Sequence, residues 1–182
     1  MRHLVLGAGQ VGTAVADVLT DVGEVALRDV DPTDDRADVL HVCIPWSSGF
    51  VDAVKGAITR HRAELVVVHS TVPVGTCDPH GWVHSPVRGR HPNLAPSLRT
   101  FVKHFGGHRA AEAADMWAPI SKSTVHPRAV ETEAGKLWEL VQYGLQVRVC
   151  QAINEWCMAR GLDPNVVYRQ FAEEYNAGYA TL

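Results

Sequence analysis

The sequence predicts an α/β protein with a doubly wound parallel sheet, followed by a long C-terminal helix and a short one. Short apolar runs rich in β-branched residues alternate with stretches in which apolar residues recur every three or four positions. The run Leu65 to His69 is almost entirely apolar, which is typical of a strand covered on both faces in a parallel sheet. A long uninterrupted helical pattern follows toward the C-terminus.

The predicted strands and helices alternate along most of the chain. The strands are Arg2 to Leu6, Glu24 to Asp29, Val39 to Ile44, Leu65 to His69 and Ser123 to His126, with weaker ones at Trp82 to His84 and Val102 to Phe105. The helices between them are Gln10 to Leu19, Phe50 to Arg62 and Arg109 to Trp117. Residues 1–127 are therefore predicted to form one domain.

Residues 128–182 are predicted to be a helical dimerisation segment. No proline occurs between Arg128 and Leu162, and apolar residues repeat there at helical spacing, which predicts one helix of about 30 residues. At 1.5 Å per residue it would be about 45 Å long, longer than the domain is wide, so we expect its apolar stripe to meet a second copy in a homodimer. Gly161 is a suitable stop, and Asp163-Pro164 predicts the start of a last helix to about Ala177.

Composition and charge exclude several classes of protein. The 182 residues are 46% hydrophobic and 20% charged, which excludes a disordered, collagen-like or coiled-coil chain. Seventeen basic against twenty acidic side chains indicate no nucleic-acid partner. No apolar run approaches the roughly 20 residues that cross a bilayer, and the N-terminus lacks the zones of a signal peptide, so we expect no membrane partner and a cytoplasmic protein. The four cysteines show no CxxC spacing and need no disulfide framework.

A glycine motif joins the first predicted strand to the first helix. Gly7, Gly9 and Gly12 form GxGxxG, in which the glycines allow a tight turn, close approach of a pyrophosphate, and close packing of helix on strand. The helix N-terminus offers N–H groups and a positive dipole end to the phosphates. This predicts a Rossmann dinucleotide-binding domain, with cofactor contacts from Gly7, Gly9, Gln10, Val11 and Gly12. The alternative is a glycine turn that binds no ligand.

An acidic residue ends the second predicted strand. Asp29 lies 17 residues after Gly12, where its carboxylate can accept hydrogen bonds from ribose hydroxyls. Because a negative charge there repels the 2′-phosphate of NADP, NAD is the predicted cofactor. Arg28 leaves NADP open, since a neighbouring guanidinium could accommodate that phosphate.

The segment after the fourth strand resembles a known family. His69 to Thr76 reads HSTVPVGT, which strongly resembles a motif of the UDP-glucose/GDP-mannose dehydrogenases, relatives of the 6-phosphogluconate and β-hydroxyacid dehydrogenases. Further segments resemble that family in the same order, namely Cys43-Ile44-Pro45, Ser85-Pro86-Val87-Arg88, Phe105-Gly106-Gly107, and Thr132-Glu133-Ala134 with Lys136. The resemblance covers the family's nucleotide-binding half and central helix. It implies that Ile44, Pro45 and Thr71 contact the cofactor.

The resemblance also implies the catalytic residues. Thr71 matches the position near nicotinamide and substrate in the family, and Ser70 precedes it. Lys136 resembles the central-helix lysine and lies 25 residues before Gly161-Leu162-Asp163-Pro164, as in the related β-hydroxyacid dehydrogenases. A lysine at the mouth of a nicotinamide pocket can bind a substrate oxygen, and desolvation there favours the neutral amine that acid/base use requires. The alternative for Lys136 is a solvated helix charge.

The sequence also departs from the family. The cysteine segment that forms a thioester in four-electron dehydrogenases is not found in these residues, the glutamate of the SPER segment is Val87, and the asparagine expected after the lysine is Leu140. We therefore expect one two-electron hydride transfer on an alcohol or carbonyl of an anionic substrate, with a nucleotide sugar as one candidate. The same departures favour an NAD-binding module without turnover, a sensor or partner subunit. A β-hydroxyacid dehydrogenase-like enzyme is a weaker third hypothesis, because its serine and paired-asparagine motifs are not found.

A loop rich in arginine and histidine follows the fifth predicted strand. Arg88, Arg90 and His91 lie close together in it, and the fork geometry of two guanidinium groups suits a phosphate or carboxylate. We interpret the loop as a site for the substrate anion, and the alternative is a solvated surface loop. The histidines of this region lack the spacing of metal ligands, so no metal site is expected.

Overall fold

The structure is a computed structural model that describes residues 1–29 and 36–180. The strands in these residues are β1 (Arg2–Leu6), β2 (Glu24–Arg28), β3 (Val39–Val42), β4 (Leu65–Val68), β5 (Val83–His84), β6 (Lys103–Gly106) and β7 (Ser123–His126). The α-helices are α1 (Gln10–Leu19), α2 (Phe50–His61), α3 (Leu94–Thr100), α4 (Ala110–Trp117), α5 (Ala129–Met158) and α6 (Phe171–Tyr179). The predicted α/β fold with a long C-terminal helix and a short one after it is confirmed.

The strands form one sheet in the order β2-β1-β3-β4-β5-β6-β7. All pairs from β2 to β5 are parallel, whereas β6 pairs with β5 in the antiparallel direction and β7 runs parallel to β6. This reversal is a difference from the predicted parallel sheet. It arises because the segment after β5 brings the chain back to the same edge, where the side chain of Lys103, the first residue of β6, contacts the carbonyl oxygens of Ser85 and Pro86.

Both faces of the sheet are covered by helices. Successive strand residues point to opposite faces, so Val5 and Val67 pack with α1, α3 and α4, while Leu4 and Val68 pack with α2 on the other face. Trp117 of α4 is fully buried in the first of these layers. The near-continuous apolar strands of the sequence are thus explained by burial on two sides.

Helix α3 is not among the predicted elements, because the segment between the weaker strands at Trp82 to His84 and Val102 to Phe105 is predicted to be a loop. Leu94 and Leu98 lie four residues apart and are both buried, and Pro96 lies in the first turn, where proline removes no helical hydrogen bond. The spacing of the two leucines is the signal that indicates this helix.

The chain divides into two compact units, Met1–Leu137 and Trp138–Leu182, with the boundary inside α5. In the second unit, the Leu162 N–H donates to the Cys157 carbonyl at 3.0 Å, and Gly161 has a φ of +65°, so Gly161 ends the helix as predicted. Asp163 accepts a hydrogen bond from the Asn165 N–H at 2.9 Å and begins the last helical region. That region is a π-helical turn, Asn165–Gln170, which continues directly into α6. No helix within the described ranges is both long and apolar enough to span a membrane.

Candidate nucleotide-binding and active site

The glycine motif forms the tight connection between β1 and α1. Gly7 has a φ of +106°, which favours glycine, and its N–H donates to the Arg28 carbonyl at 2.7 Å. A Cβ at Gly7 would lie 2.9 Å from the carbonyl carbon of Cys43, and a Cβ at Gly12 would overlap the carbonyl oxygen of Gly7. Both positions therefore require glycine, because α1 packs directly on the turn and the turn packs on the end of β3.

Gly9 differs from the other two glycines because no atom of residues 1–29 and 36–180 lies within 4 Å of the position its Cβ would occupy. It is the residue before α1, it carries no side chain to cap the helix, and the first-turn N–H groups of a helix have no intrahelical partners. Open space in front of these donors is the arrangement that a pyrophosphate needs. Of the neighbouring predicted contacts, Gln10 is exposed and Val11 is half-buried. The residues present fit the phosphates of a dinucleotide.

Asp29 lies beside this loop at the carboxyl edge of the sheet. The pairing of Leu6 with Arg28 aligns the ends of β1 and β2, so Asp29 and Gly7 both follow the last paired position. Asp29 is exposed, and the Arg28 guanidinium donates to the Leu27 carbonyl at 2.9 Å. This is the position at which a carboxylate meets an adenosine ribose in dinucleotide-binding folds.

The loops after β3 and β4 are joined by Ser70. Its hydroxyl donates to the Ile44 carbonyl at 2.6 Å, and the His69 N–H donates to the Val42 carbonyl at 2.8 Å. Ile44 is half-buried, Pro45 is exposed, and Thr71 is half-buried next to Ser70. Ser70 thus holds together the two loops that carry the predicted nicotinamide-side contacts.

The loop after β4 and the start of α5 are joined by two carboxylates. Each segment supplies one carboxylate, which accepts hydrogen bonds from backbone N–H groups of the other segment. Glu133 of α5 is fully buried, and its two oxygens accept hydrogen bonds from the N–H groups of Gly75 (2.6 Å) and Cys77 (2.8 Å). Asp78 in turn accepts from the N–H groups of Ala129 (2.8 Å) and Val130 (3.1 Å) at the N-terminus of α5. A carboxylate at a helix N-terminus and one bound by backbone N–H groups are both stabilising. The two carboxylates therefore fix the helix against the loop that begins at Thr71.

Lys136 lies one turn after Glu133 on α5. It is half-buried, and its ammonium donates to the Val87 carbonyl at 3.0 Å. Nearby, His84 at the end of β5 bonds to the Thr132 hydroxyl, with the His84 Nδ1 and Thr132 Oγ1 2.8 Å apart. Lys136 is therefore held at the carboxyl edge by the same segment, Ser85 to Val87, that resembles the family's SPER motif.

The predicted anion loop packs against the glycine motif. The His91 Nδ1 lies 2.7 Å from the Gln10 side-chain oxygen at the start of α1. Arg88 lies over the Phe101 ring at 5.9 Å, and the Arg90 N–H donates to the Ser97 hydroxyl at 3.2 Å. One residue of the predicted substrate site thus contacts one of the predicted cofactor site, whereas the Arg88 guanidinium lies against Phe101.

Glu133, Asp78 and Lys103 are functional candidates that the sequence reasoning did not select. The side chain of each residue forms hydrogen bonds with backbone groups of a segment that is distant in the sequence. Such contacts produce no periodic pattern of residues in the sequence. Only the proximity of Glu133 to Lys136 within the family-like segment points to this site.

Both cysteines near the site have raised pKa values. Burial raises the pKa of Cys43 to about 12, and burial together with the Glu133 carboxylate raises the pKa of Cys77. All four cysteines are free. Among the residues that the structure describes, no three His, Cys, Asp or Glu side chains come together as metal ligands would.

Solved structures show which fold this is. The chain matches the UDP-D-ManNAc dehydrogenase of Pyrococcus horikoshii with a TM-score of 0.79 and 16% identity, over 93% of this chain and 57% of that one. It matches the GDP-mannose dehydrogenase of Pseudomonas aeruginosa, solved as a ternary complex, with a TM-score of 0.80 and 17% identity, over 95% and 57%. This chain shares the fold of part of these two sugar-nucleotide dehydrogenases. It spans just over half the length of these two proteins.

Other oxidoreductases share this sugar-nucleotide dehydrogenase fold more distantly. The reductive aminase of Aspergillus terreus, solved with NADPH and ethyl levulinate, matches with a TM-score of 0.69 and 12% identity, over 99% of this chain and 74% of that one. No protein-family model and no curated protein matches the sequence. The resemblance inferred from short motifs is therefore confirmed at the level of the fold.

Replacing Gly9 by valine is expected to weaken dinucleotide binding and leave the protein folded. A Cβ at this position has no described atom within 4 Å, and the valine side chain would occupy the space in front of the α1 N-terminus. We expect the Kd for NAD, measured by titration calorimetry, to rise at least about tenfold, or about 1.4 kcal/mol. Gly56→Val on α2 has an equally open Cβ position and is the control that leaves the Kd unchanged. Unaltered NAD binding by Gly9→Val would contradict the assignment of this loop to phosphates.

Replacing Glu133 by glutamine is expected to destabilise the first unit. An amide presents an NH2 group to one of two backbone N–H donors, leaving that buried donor unsatisfied, which costs about 2 kcal/mol. Urea unfolding measures the loss. Glu131→Gln is the matched control, because Glu131 lies on the same helix in an exposed pair with Arg128, and exposed pairs contribute about 0.5 kcal/mol. Equal stability of the two variants would show that the Glu133 contacts do not hold the loop.

Proposed function

We propose that the protein is an NAD-dependent oxidoreductase that transfers a hydride between the cofactor and an alcohol or carbonyl carbon of an anionic substrate. The observation that carries the proposal is the open Gly9 position before α1, with Asp29 beside it, at the edge of the sheet where Lys136 and Thr71 also lie. Ligands of such open sheets bind outside the carboxyl ends of the strands. The likeness of the fold to oxidoreductases supports this class of reaction.

In this proposal the cofactor supplies the hydride chemistry, and the chain supplies orientation and proton transfer. Lys136 donates a hydrogen bond to the substrate oxygen and gives or takes its proton at Nζ. The Val87 carbonyl orients Lys136 for that contact. Thr71 binds the same substrate region, and Ser70 keeps the loop of Thr71 against the loop of Ile44. Orienting reactants in this way lowers the entropic part of the barrier.

The substrate is proposed to carry a phosphate or carboxylate. Arg88, Arg90 and His91 lie on one short loop, and the contact of His91 with Gln10 brings that loop to the start of α1. An anion held by this loop would lie close to the bound cofactor. Because the similar solved structures include a GDP-mannose and a UDP-D-ManNAc dehydrogenase, sugar nucleotides are the first substrates to test.

The proposed reaction is a single two-electron step, and the proposed location of the protein is the cytoplasm. The raised pKa of the Cys43 and Cys77 thiols supports the first, because a thioester step needs a thiolate. The four free cysteines support the second, since reducing compartments keep thiols reduced.

A dinucleotide-binding module without turnover is the second candidate. The Lys136 ammonium already donates to the Val87 carbonyl, at the position where the family's SPER glutamate would stand, and this contact favours a structural lysine. Leu140, in the place of the expected asparagine, is exposed and offers no polar group.

Substitution of Lys136 distinguishes these candidates. For the enzyme, Lys136→Met is expected to lower kcat by about 100-fold with a substrate from a panel of UDP- and GDP-sugars, while the Kd for NAD stays within about twofold, because Lys136 acts only in proton transfer and orientation. NADH absorbance measures turnover and calorimetry measures binding. Lys122→Met, at an exposed position, is the control.

Three other outcomes have separate meanings. Binding of NAD without turnover of any substrate in either direction would favour the module. Unchanged turnover by Lys136→Met would show that another residue moves the proton. Failure of NAD and NADH to bind at millimolar concentration would overturn both candidates.

We also propose that the protein is a homodimer formed through the second unit. Sixteen large apolar side chains between Trp138 and Tyr179 are exposed there, including Trp138 (71%) and Leu145 (62%). Trp138, Val141, Leu145 and Val149 recur at helical spacing on one face of α5, and a large exposed apolar patch is rare on a monomer. A second copy is the proposed partner, because the same stripe on each long helix is self-complementary about a two-fold axis.

Replacing Leu145 by glutamate is expected to dissociate the dimer, since it places a charge in the apolar stripe. Sedimentation equilibrium should give twice the 19.9 kDa of one chain for the wild type and a single chain for the variant. Val125→Glu changes an exposed apolar residue of the first unit and should remain dimeric. A wild-type protein that sediments as one chain at tens of micromolar (a Kd weaker than about 10⁻⁵ M) would contradict the proposal.

A further inference from the structure

Three buried histidines form a continuous row across the sheet. His3 lies on β1, His41 on β3, and His69 directly follows β4. The His3 Nδ1 and His41 Nε2 are 3.1 Å apart, and the His41 Nδ1 and His69 Nε2 are 3.0 Å apart. Each ring therefore uses one nitrogen toward each neighbour. The row runs diagonally, since Val5 pairs with His41 and each histidine is displaced along its strand toward the carboxyl edge.

The row ends at a buried lysine. The Lys103 ammonium nitrogen lies 3.2 Å from the His69 Nδ1 and donates to the carbonyls of Ser85 (2.7 Å) and Pro86 (3.0 Å). It also lies 5.4 Å from the centre of the Trp117 ring. Lys103 is 3% exposed, and with Arg88 it lines a shallow surface depression beside the anion loop. One end of the row therefore reaches the candidate substrate side.

The other end of the row has a nitrogen without a partner. The His3 Nε2 is buried and makes no hydrogen bond with any residue that the structure describes. The backbone of Gly23 covers this nitrogen, and a Cβ at Gly23 would lie 2.9 Å from the His3 ring. This nitrogen is the terminus at which a proton can enter or leave the row.

The hydrogen bonds of the row have two self-consistent directions. With Lys103 charged, its ammonium donates to the His69 Nδ1, so each histidine donates from Nε2 to the Nδ1 of the next, and the His3 Nε2 carries a proton. With Lys103 neutral, the His69 Nδ1 donates to the Ser85 carbonyl, which lies 2.9 Å away. Each Nε2 then accepts, and the His3 Nε2 is bare. Neutral imidazole has one donor and one acceptor nitrogen, so no third arrangement satisfies every link.

We propose that His3, His41, His69 and Lys103 are a proton relay between the substrate side of the sheet and the opposite end of β1. In one transfer the Lys103 ammonium gives a proton to the His69 Nδ1, His69 passes its Nε2 proton to His41, and His41 passes its Nε2 proton to His3. His3 releases its Nε2 proton to water that reaches it when the covering backbone at Gly23 moves aside. One proton crosses, no electrons move, and the three rings end neutral with the proton on Nδ1. The return of one proton from water to the His3 Nε2 reverses the transfers and resets the row.

Burial and charge support this role. Burial lowers the pKa of Lys103 to about 7, so both of its charge states are populated near neutral pH. Burial also holds the pKa of His41 and His69 well below the usual value, which keeps the two rings neutral as a relay requires. The groups that face the row are the N-terminal amine and Asp38 near His3, His84 near His69, and Cys43 and Lys136 near Lys103.

The use of the relay in turnover rests on the proposed oxidoreductase function, whereas its existence does not. Oxidation of an alcohol by NAD releases one proton for each hydride, and reduction of a carbonyl takes one up. The carbonyls of Ser85, Pro86 and Val87 bind Lys103 and Lys136 in adjacent positions, so the relay ends beside the group proposed to exchange that proton.

Nitrogen NMR of the histidine rings tests the relay directly. In ¹⁵N-histidine-labelled protein from about pH 5.5 to 9, we expect His69, His41 and His3 to exchange their protonated nitrogens together at one midpoint, that of Lys103. Lys103→Met should hold all three rings in the high-pH arrangement throughout. His41→Gln should leave His69 responsive and His3 unresponsive. Lys55→Met, at an exposed position on α2, should titrate as the wild type.

Tautomers that stay fixed across this range, or that change at unrelated midpoints, would overturn the relay and leave a static hydrogen-bond network. If the wild type turns over, a second readout applies. At low buffer concentration His41→Gln should slow proton release in a single turnover about tenfold with an unchanged Kd for NAD, and added imidazole buffer should restore it. A protein without turnover but with coupled tautomers would retain the relay and refute only the proposed function.

Discussion

The candidate site depends on reciprocal hydrogen bonds between the loop after β4 and the start of α5, in which Glu133 and Asp78 are the acceptors. Glu133 binds two N–H groups of the loop after β4, and Asp78 of that loop binds two N–H groups at the start of α5. Removing Glu133 leaves the buried Cys77 N–H without its acceptor, which is costly in a medium of low dielectric, and removing Asp78 leaves the first N–H groups of α5 without a carboxylate. The positions of Thr71 and Lys136 follow from these four hydrogen bonds, since one residue lies on the loop and the other on the helix.

The carbonyl groups of Ser85 to Val87 form a second fixed element. They lie directly after the short strand β5 and accept hydrogen bonds from two lysines that come from β6 and α5. A row of carbonyl oxygens accepts hydrogen bonds from an ammonium group without neutralising its charge, so both lysines are oriented by neutral groups. The segment therefore orients the two lysines through backbone carbonyl groups. Because the Val87 side chain takes no part in these hydrogen bonds, valine is compatible with this role at the third position.

The histidine row is unusual because it occupies an otherwise apolar layer. Val5, Val67 and Trp117 pack around it, and four titratable side chains in such a layer reduce stability compared with apolar ones of similar size. Each internal link is satisfied, whereas the outer nitrogen of His3 is not. A proton relay needs one end that can release a proton and one that can supply it. The unsatisfied nitrogen of His3 and the ammonium of Lys103 are these two ends in the proposal.

The sequence by itself determined the order of strands and helices, the glycine turn with Asp29, the long helix and its stop at Gly161, because these follow from local periodicity and backbone conformation. It also indicated the family-like loop and the lysine on α5. Only the tertiary structure decided the reversed direction of β6, the buried helix α3, the roles of Glu133 and Asp78, and the alignment of His3, His41, His69 and Lys103. These depend on contacts between segments far apart in the chain, and hydrogen bonds between a side chain and a distant backbone group impose no spacing on the sequence.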